Sequence, residues 1–173
     1  MEVFEGITLI ESGFREKIGN SVWADLGCGN GLFTKALASL LGNESKIYAV
    51  DKVRQSLEIS FNNVAIEFIK ADFVNDPLQF TSLDGVLMAN SLHYIKDKSS
   101  FLAKLKKLLK PNGQTIIIEY EIEKANAWVP YPIRFNELEK LLSINGFGPL
   151  VKLGERESIF RAEKMYACSA RAK

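Results

Sequence analysis

Residues 22–31 read VWADLGCGNG, an apolar run that passes into a turn with a glycine at every second position. The run from Val22 to Leu26 predicts a short buried β-strand. Glycine adopts backbone conformations closed to other residues and lets a ligand approach the main chain closely. One stripe of a helix follows at once, formed by Leu32, Phe33, Ala36, Leu37, Leu40 and Leu41. A strand, a glycine turn and a helix in this order predict a ligand site at the carboxyl end of the strand.

Short apolar runs continue to alternate with stretches of helical spacing, which is typical of an α/β fold with a parallel sheet. Four more parallel strands are predicted, at residues 46–50, 65–69, 85–88 and 115–120. Three further helices are expected. The first covers residues 7–18, and the second follows the apolar stripe at residues 101–109 and ends at the turn Pro111-Asn112-Gly113. The third begins at Asn136, which forms a capping box with Glu139, and ends at Gly146. Five parallel strands with helices on both faces follow from this pattern.

The end of the chain departs from the alternation of strands and helices. Residues 149–153 and 159–170 read as two strands joined by the polar stretch at residues 154–157, with no helix between them. Strands connected in this way pair in antiparallel fashion. We therefore predict a hairpin at the edge of the sheet.

Length and composition indicate one domain that covers residues 1–173, with the helix in residues 1–20 as a partial cover for a substrate. The 22 basic and 21 acidic residues give a net charge of +1, so no global field attracts nucleic acid or an anionic membrane. Cys28 and Cys168 are expected to be free thiols. The acidic start and the lack of a long apolar run indicate a cytoplasmic protein without a membrane span.

An acidic residue, Asp51, closes the second predicted strand, twenty residues past Gly31. A carboxylate at this place can accept hydrogen bonds from the hydroxyls of an adenosine ribose. A dinucleotide fingerprint has the spacing GxGxxG, whereas the third glycine here comes one residue early. The pattern favours a nucleoside cofactor, with a nicotinamide-dependent oxidoreductase as a weaker alternative.

From Val22 to Ala170 the sequence resembles the class I S-adenosylmethionine-dependent methyltransferases. The resemblance lies in four ordered motifs: residues 25–31, Asp51, Asp72 within residues 70–73, and residues 83–94 after the fourth strand. It implies a Rossmann-like α/β three-layer sandwich whose mostly parallel seven-stranded sheet ends in a C-terminal antiparallel hairpin. It also implies S-adenosyl-L-methionine as the cofactor, with S-adenosyl-L-homocysteine as the product, and no metal.

The resemblance assigns a cofactor-contacting role to individual residues. The loop of Gly27, Cys28, Gly29 and Gly31 would pack against the methionine and ribose portions. Six further positions would contact the cofactor: Asp25 near its ammonium group, Asp51 at the ribose, Lys52 next to Asp51 in the sequence, Asp72 and Phe73 at the adenine, and Asn90 at the methionine end.

Catalytic roles are assigned to two residues after the fourth strand. His93, the single histidine, is a candidate general base or a residue that lines the pocket, and Tyr94 is a candidate for stacking on the substrate or a pocket wall. One of Glu119, Tyr120 and Glu121 is expected to face the substrate. Residues 127–132 form a lid or wall, or a surface loop with Trp128 in the core.

The predicted function is methyl transfer to a small molecule. The alternatives are methylation of RNA or protein, and a non-catalytic or partner-dependent subunit that binds S-adenosylmethionine. The Asn-Pro-Pro-Tyr type of motif found in many amino-methylating enzymes is absent, because residues 89–92 read ANSL. The lysines around the second helical stripe predict a solvated face, with an RNA- or phosphate-binding patch as the weaker alternative: Lys96, Lys98, Lys104, Lys106, Lys107 and Lys110. A homodimer or a partner subunit could complete an open pocket.

Overall fold

The glycine turn lies at the carboxyl edge of an eight-stranded sheet in the computed structural model, which describes residues 1–14, 19–157 and 164–173. The strands are β1 (Val22–Leu26), β2 (Lys46–Asp51), β3 (Ser60–Phe61), β4 (Val64–Lys70), β5 (Leu83–Ala89), β6 (Leu109–Tyr120), β7 (Val151–Glu157) and β8 (Lys164–Arg171). Their order is β3-β4-β2-β1-β5-β6-β8-β7. The chain leaves β1 for β2 on one side and reaches β5 on the other, which leaves a crevice at the carboxyl end of β1.

The five predicted parallel strands are adjacent and parallel in the sheet, so the predicted fold class is confirmed. The hairpin is also confirmed, because β8 lies antiparallel between β6 and β7. Two details differ. The two-residue strand β3 pairs with β4 and makes eight strands instead of seven. Residues 154–157, predicted as a connection, belong to β7, and residues 158–163, which include the predicted start of the last strand, lie outside the described residues.

Within the described residues, four helices flank the sheet: α1 (Val3–Ile10), α2 (Leu32–Leu40), α3 (Lys98–Leu108) and α4 (Phe135–Ile144). One apolar layer packs α1 and α2 on the sheet through Leu37, Ile116 and Ile118. The other layer packs α3 and α4 on the opposite face through Leu102 and Ile117. Alternating residues of β6 thus serve both layers, as expected for a strand that is covered on both faces.

Three predicted boundaries are wrong for identifiable reasons. The first helix starts at Val3 and not at residue 7, because Glu2 and Glu5 form a capping box there. It continues as a 3₁₀ turn at Glu11–Gly13, and residues 15–18 of the predicted helix lie outside the described part. The last helix has its capping box at Arg134 and Glu137, not at Asn136 and Glu139. The predicted turn at residues 111–113 is an irregularity within β6, where the pairing with β5 shifts register.

The predicted alternation of strands and helices fails between β2 and β5. Residues 52–59 and 71–82, all of them described, form turns and extended segments without a helix. Asp51 and Asp72 each accept a hydrogen bond from the backbone two residues ahead, at Val53 and Val74, a turn geometry that competes with helix formation. An open cavity of about 310 Å³ remains between residues 73–78 and α3.

Candidate active site

The glycine loop combines tight packing with one open position. Gly27 has φ +84°, and a Cβ atom there would lie 2.6 Å from the Cβ of Ser91, so no other residue fits. Gly29 has φ +50°, but a Cβ atom there would meet nothing within 4 Å. The Cys28 side chain is buried beneath the loop, and burial raises the pKa of its thiol. The backbone around Gly29 is therefore the part of the loop that a ligand can reach.

Asp51 fixes this loop to the end of β2. Its Oδ2 accepts a hydrogen bond from the backbone N–H of Gly29 at 2.9 Å, and its Oδ1 accepts one from Val53 at 2.8 Å. Each carboxylate oxygen can accept a second hydrogen bond. Lys52, the next residue, is exposed. The half-buried carboxylate of Asp51 thus retains acceptor capacity beside the open position of the loop.

Asp25 is fully buried in β1. Its Oδ2 accepts a hydrogen bond from the Thr34 hydroxyl at 2.6 Å, whereas its Oδ1 has no partner among the described residues. Burial raises the pKa of Asp25 to about 7; the bond from Thr34 opposes this rise, and the charge of Asp51 adds to it. A nearby cation or a further donor would stabilise the ionised carboxylate.

Asn90 follows β5 with φ +53°, a conformation that Asn tolerates better than most residues. Its backbone N–H donates to Ile118 in β6, and its side-chain oxygen is buried without a described partner. The next residue, Ser91, donates its hydroxyl to the Leu26 carbonyl at 2.6 Å. Because β1 and β5 are neighbours, Asp25 and Asn90 place two unpartnered acceptor oxygens at the same edge of the sheet.

The carboxylate of Asp72 is engaged by its own loop. It accepts hydrogen bonds from the backbone of Val74 and Asn75 and from the Asn75 side chain. The bond from the Asn75 side chain is the largest cause of a lowered Asp72 pKa. Phe73 lies edge-on to Phe101 at 5.8 Å, and its ring would lie 3.4 Å from a Cβ atom at Gly27. Phe73 therefore lies beside the glycine loop, while Asp72 keeps limited free acceptor capacity.

His93 is buried, 1% exposed, in a 3₁₀ turn at Leu92–Tyr94. Its Nδ1 lies 2.7 Å from Oε2 of Glu119 in β6, and its backbone N–H donates to Oε1 of the same carboxylate at 3.0 Å. Its Nε2 is buried and has no partner among the described residues. The Glu119 carboxylate thus contacts both the ring and the backbone N–H of His93.

Lys98 is buried, contrary to the prediction of a solvated lysine face. Its ammonium group donates to the carbonyls of Ile95 and Tyr131, and its charge interacts with that of Glu119. Burial nevertheless lowers the Lys98 pKa overall. Lys98 therefore ties the turn that carries His93 to the loop that follows β6, and the backbone bond from Tyr131 to the His93 carbonyl strengthens this connection.

Exposed aromatic side chains lie near His93. The Tyr94 ring is 4.3 Å from that of His93 and is 57% exposed, and Tyr131 is also exposed. Trp128 is 71% exposed, so the prediction that it enters the core is wrong; Val129 is buried instead. The loop after β6 forms a wall of the site through its backbone contacts with Lys98 and His93.

The sequence did not distinguish Glu119 from its neighbours Tyr120 and Glu121. The sequence does contain a feature that could have identified Glu119. It directly follows three isoleucines of a central strand, and a glutamate buried at such a position must have a polar partner. Glu121, by contrast, is exposed and accepts a bond from Phe135 at the start of α4.

Comparison with protein families gives one match that covers more than half of the chain. A family model described as a methyltransferase domain matches residues 24–117. The ubiquinone/menaquinone biosynthesis C-methyltransferase UbiE of Hahella chejuensis is 28% identical over 125 residues, which cover 68% of this chain and 49% of the relative. The 2-phytyl-1,4-naphtoquinone methyltransferase of Nostoc punctiforme is 30% identical over 111 residues, or 60% of this chain and 48% of the relative. The chain spans about half the length of the curated relatives it matches.

Solved structures agree on the fold. A SAM-dependent methyltransferase from Aquifex aeolicus has a TM-score of 0.67 at 19% identity, with both chains covered completely. A second structure is the 1,6-didemethyltoxoflavin-N1-methyltransferase of Burkholderia thailandensis with bound 1,6-didemethyltoxoflavin and S-adenosylhomocysteine. It has a TM-score of 0.71 at 18% identity, and the match covers 99% of this chain and 78% of that chain. Among the residues described here, no helix is long and apolar enough to cross a membrane.

Proposed function

Because the chain belongs to the methyltransferase-domain family, we propose that it transfers a methyl group from S-adenosylmethionine to a small organic molecule. The family assignment agrees with the class I resemblance in the four sequence motifs and favours S-adenosylmethionine over the nicotinamide alternative. The observation that carries the proposal is the pair of unpartnered, buried acceptor oxygens on Asp25 and Asn90, at the sheet edge that also holds the open backbone of Gly29.

The residues at this edge fit the cofactor. S-adenosylmethionine, when bound, supplies a methyl carbon activated by a cationic sulfur, and it also carries an ammonium group and ribose hydroxyls that donate hydrogen bonds. The free oxygens of Asp25 and Asn90 suit the ammonium group, and the carboxylate of Asp51 suits the ribose. Phe73 would contact the adenine ring beside the loop, with Asp72 and Lys52 at the rim. A cationic ligand would also offset the cost of an ionised Asp25.

The surroundings of His93 favour a planar acceptor with a hydroxyl group. Tyr94 and Tyr131 offer exposed aromatic faces, and Nε2 of the imidazole has no hydrogen-bond partner among the described residues. Two of the curated relatives carry names that refer to ubiquinone, menaquinone or a naphthoquinone. The net charge of +1 offers no field for a polynucleotide. Hydroxylated aromatic rings are therefore the first acceptors to test, with His93 and Tyr94 as the residues that contact them.

Calorimetric titration tests the cofactor assignment. We expect S-adenosylmethionine and S-adenosylhomocysteine to bind and NAD not to bind. Asp51→Ala should weaken both ligands by about 1.5–3 kcal/mol, roughly 10- to 150-fold, because it removes a charged acceptor. Glu58→Ala is the matched control: Glu58 follows the same strand but is exposed and forms an ion pair with Lys35, so binding should not change. Equal affinities for all three proteins would overturn the assignment of Asp51.

A further inference from the structure

We propose that Glu119 is a positioning residue that keeps the proton of His93 on Nδ1, so that Nε2 is the general base for a hydroxyl group of the acceptor. The inference rests on the proposed function for its acceptor, but the position of the proton can be tested without cofactor or acceptor. Nε2 is the one buried atom of the His93 side chain that the described residues leave without a partner.

The hydrogen bonds of Glu119 determine where the proton lies. The backbone N–H of His93 can only donate, and it occupies Oε1. The second oxygen, Oε2, faces Nδ1 at 2.7 Å. An ionised carboxylate only accepts hydrogen bonds, so Nδ1 must carry the proton. The charge of the buried Lys98 ammonium group interacts with that of Glu119, which gives this buried carboxylate an opposite charge.

The tautomer leaves Nε2 with a lone pair at the edge of the site. A buried nitrogen without a partner costs about 1–3 kcal/mol, so its presence in an otherwise well-bonded turn points to a ligand that donates to it. The Tyr94 ring, which is more than half exposed, lies tilted against the His93 ring at 4.3 Å, and the Tyr120 ring lies 6.1 Å away. In the proposed reaction the acceptor reaches Nε2 by displacing the exposed Tyr94 ring.

The proton balance of the step is simple. The O–H bond of the acceptor breaks, and its proton passes to Nε2. The oxygen forms the new bond to the methyl carbon, and the electrons of the old carbon–sulfur bond stay on sulfur. His93 is then a cation next to Glu119, which stabilises it, and the proton leaves to solvent. No oxidant or reductant is needed.

The single histidine makes the proton position directly observable. Protein with ¹⁵N-labelled histidine, examined by NMR in alkaline buffer without ligands, should show one protonated ring nitrogen, Nδ1, and one bare nitrogen, Nε2. A spectrum with the proton on Nε2 would overturn the proposal. This outcome is independent of whether the protein binds S-adenosylmethionine.

Glu119→Gln reverses the hydrogen-bond requirement without changing the shape of the side chain. The amide oxygen of Gln must accept from the His93 backbone, so its NH₂ group faces Nδ1. Nδ1 then has to accept, and the proton moves to Nε2. We expect the two ¹⁵N shifts to exchange, and a spectrum unchanged from that of the natural protein would overturn the proposal. Glu123→Gln, an exposed position in the segment after β6, is the matched control and should leave the spectrum unchanged.

Kinetics supply the second readout. With dihydroxynaphthalene as the probe acceptor, Glu119→Gln should lower kcat by roughly 10²- to 10⁴-fold with little change in KM, since a misplaced proton disables the base but not binding. Full activity together with an exchanged tautomer would contradict the role of Nε2 as the base. Failure of the natural protein to methylate the probe would count against the proposed acceptor class, while the NMR result would still decide the role of Glu119.

Discussion

Apart from the terminal pair β8 and β7, the sheet consists of two halves of three strands each that are built differently. In the inner half, formed by β1, β5 and β6, buried polar groups such as His93 and Glu119 are held by two hydrogen bonds and lie between apolar layers. In the outer half, formed by β2, β4 and β3, residues 52–59 and 71–82 contribute no helix, and Ile59 is 86% exposed. The contrast indicates that the chain concentrates its buried polar contacts where the methyl acceptor is proposed to bind. The proposed cofactor site spans the border between the two halves.

The same substitution in each half should give the largest difference. Glu119→Leu in β6 leaves the His93 backbone and Lys98 without a buried anion, and we expect a loss of about 3–5 kcal/mol in the free energy of unfolding. Glu67→Leu in β4 removes an exposed ion pair with Lys46 and should cost at most about 1 kcal/mol. Urea denaturation measures both, and similar losses would contradict the distinction between the halves.

Two carboxylates, one in each half, should give opposite pH dependences. The pKa of Asp25 is raised to about 7, so the folded state holds a proton that the unfolded state, with an Asp pKa near 4, has lost. The contribution of Asp25 to the free energy of unfolding should therefore fall by about 2–4 kcal/mol as the pH rises from about 4 to about 7. Asp72, whose pKa is lowered, stabilises the fold above the unfolded pKa and loses this effect in more acidic solution.

Asp25→Asn isolates the first of these effects, because Asn can still accept the bond from Thr34. The natural protein should lose stability relative to the variant as the pH rises from about 4 to about 7, because Asn does not titrate. Asp72→Asn should produce no such trend in this window. A constant difference for Asp25→Asn would mean that the Asp25 pKa is not raised.

A methyl group added at Gly27 should have a smaller effect. Gly27→Ala places a Cβ atom 2.6 Å from Ser91 at φ +84°, and we expect about 2–3 kcal/mol of destabilisation, measured by thermal unfolding. Gly148→Ala is the control: its Cβ atom would lie no nearer than 3.6 Å to its surroundings, without a positive φ. If the two variants had equal melting temperatures, the packing described for the loop would be wrong.

The smallest effect is expected on the exposed surface of the outer half. Ile59→Ser and Val53→Ser replace side chains that are 86% and 58% exposed, so unfolding should change by no more than about 0.5 kcal/mol. A loss above 1 kcal/mol for either variant, in the same urea experiment, would indicate that this surface is covered in solution, for instance by a second copy of the chain.

Local patterns predicted most of the sheet. The bounds of β1 matched its apolar run, and the hairpin followed from the absence of a helix between its strands. Helix starts were harder, since capping depends on which polar side chain folds back. Glu137, and not Glu139, accepts a hydrogen bond from the backbone of the residue before the helix, which is Arg134 and not Asn136. The lack of helices at residues 52–59 and 71–82 depends on side-chain hydrogen bonds of Asp51 and Asp72, which spacing does not reveal.

Within the site, the sequence located His93 and the glycine loop but not the partner of His93. Glu119 lies 26 positions away and becomes its neighbour only because β5 and β6 are paired. Lys98 was misassigned because it lies among solvated lysines, and its burial depends on two carbonyls, one of them more than thirty residues away. These contacts join residues that are far apart in the sequence and depend on the tertiary structure, so they could not be predicted from a single sequence.

The central claim is that the cofactor binds at the carboxyl edge between the glycine loop and Asn90. Titration of ¹⁵N-labelled protein with S-adenosylhomocysteine, followed through the backbone amides, tests it most directly. We predict saturable shifts at Gly27, Gly29 and Asn90, with no shifts at Gly148 and Ile144 on the far side of the molecule. Absence of binding, or shifts confined to residues away from the loop, would contradict the account.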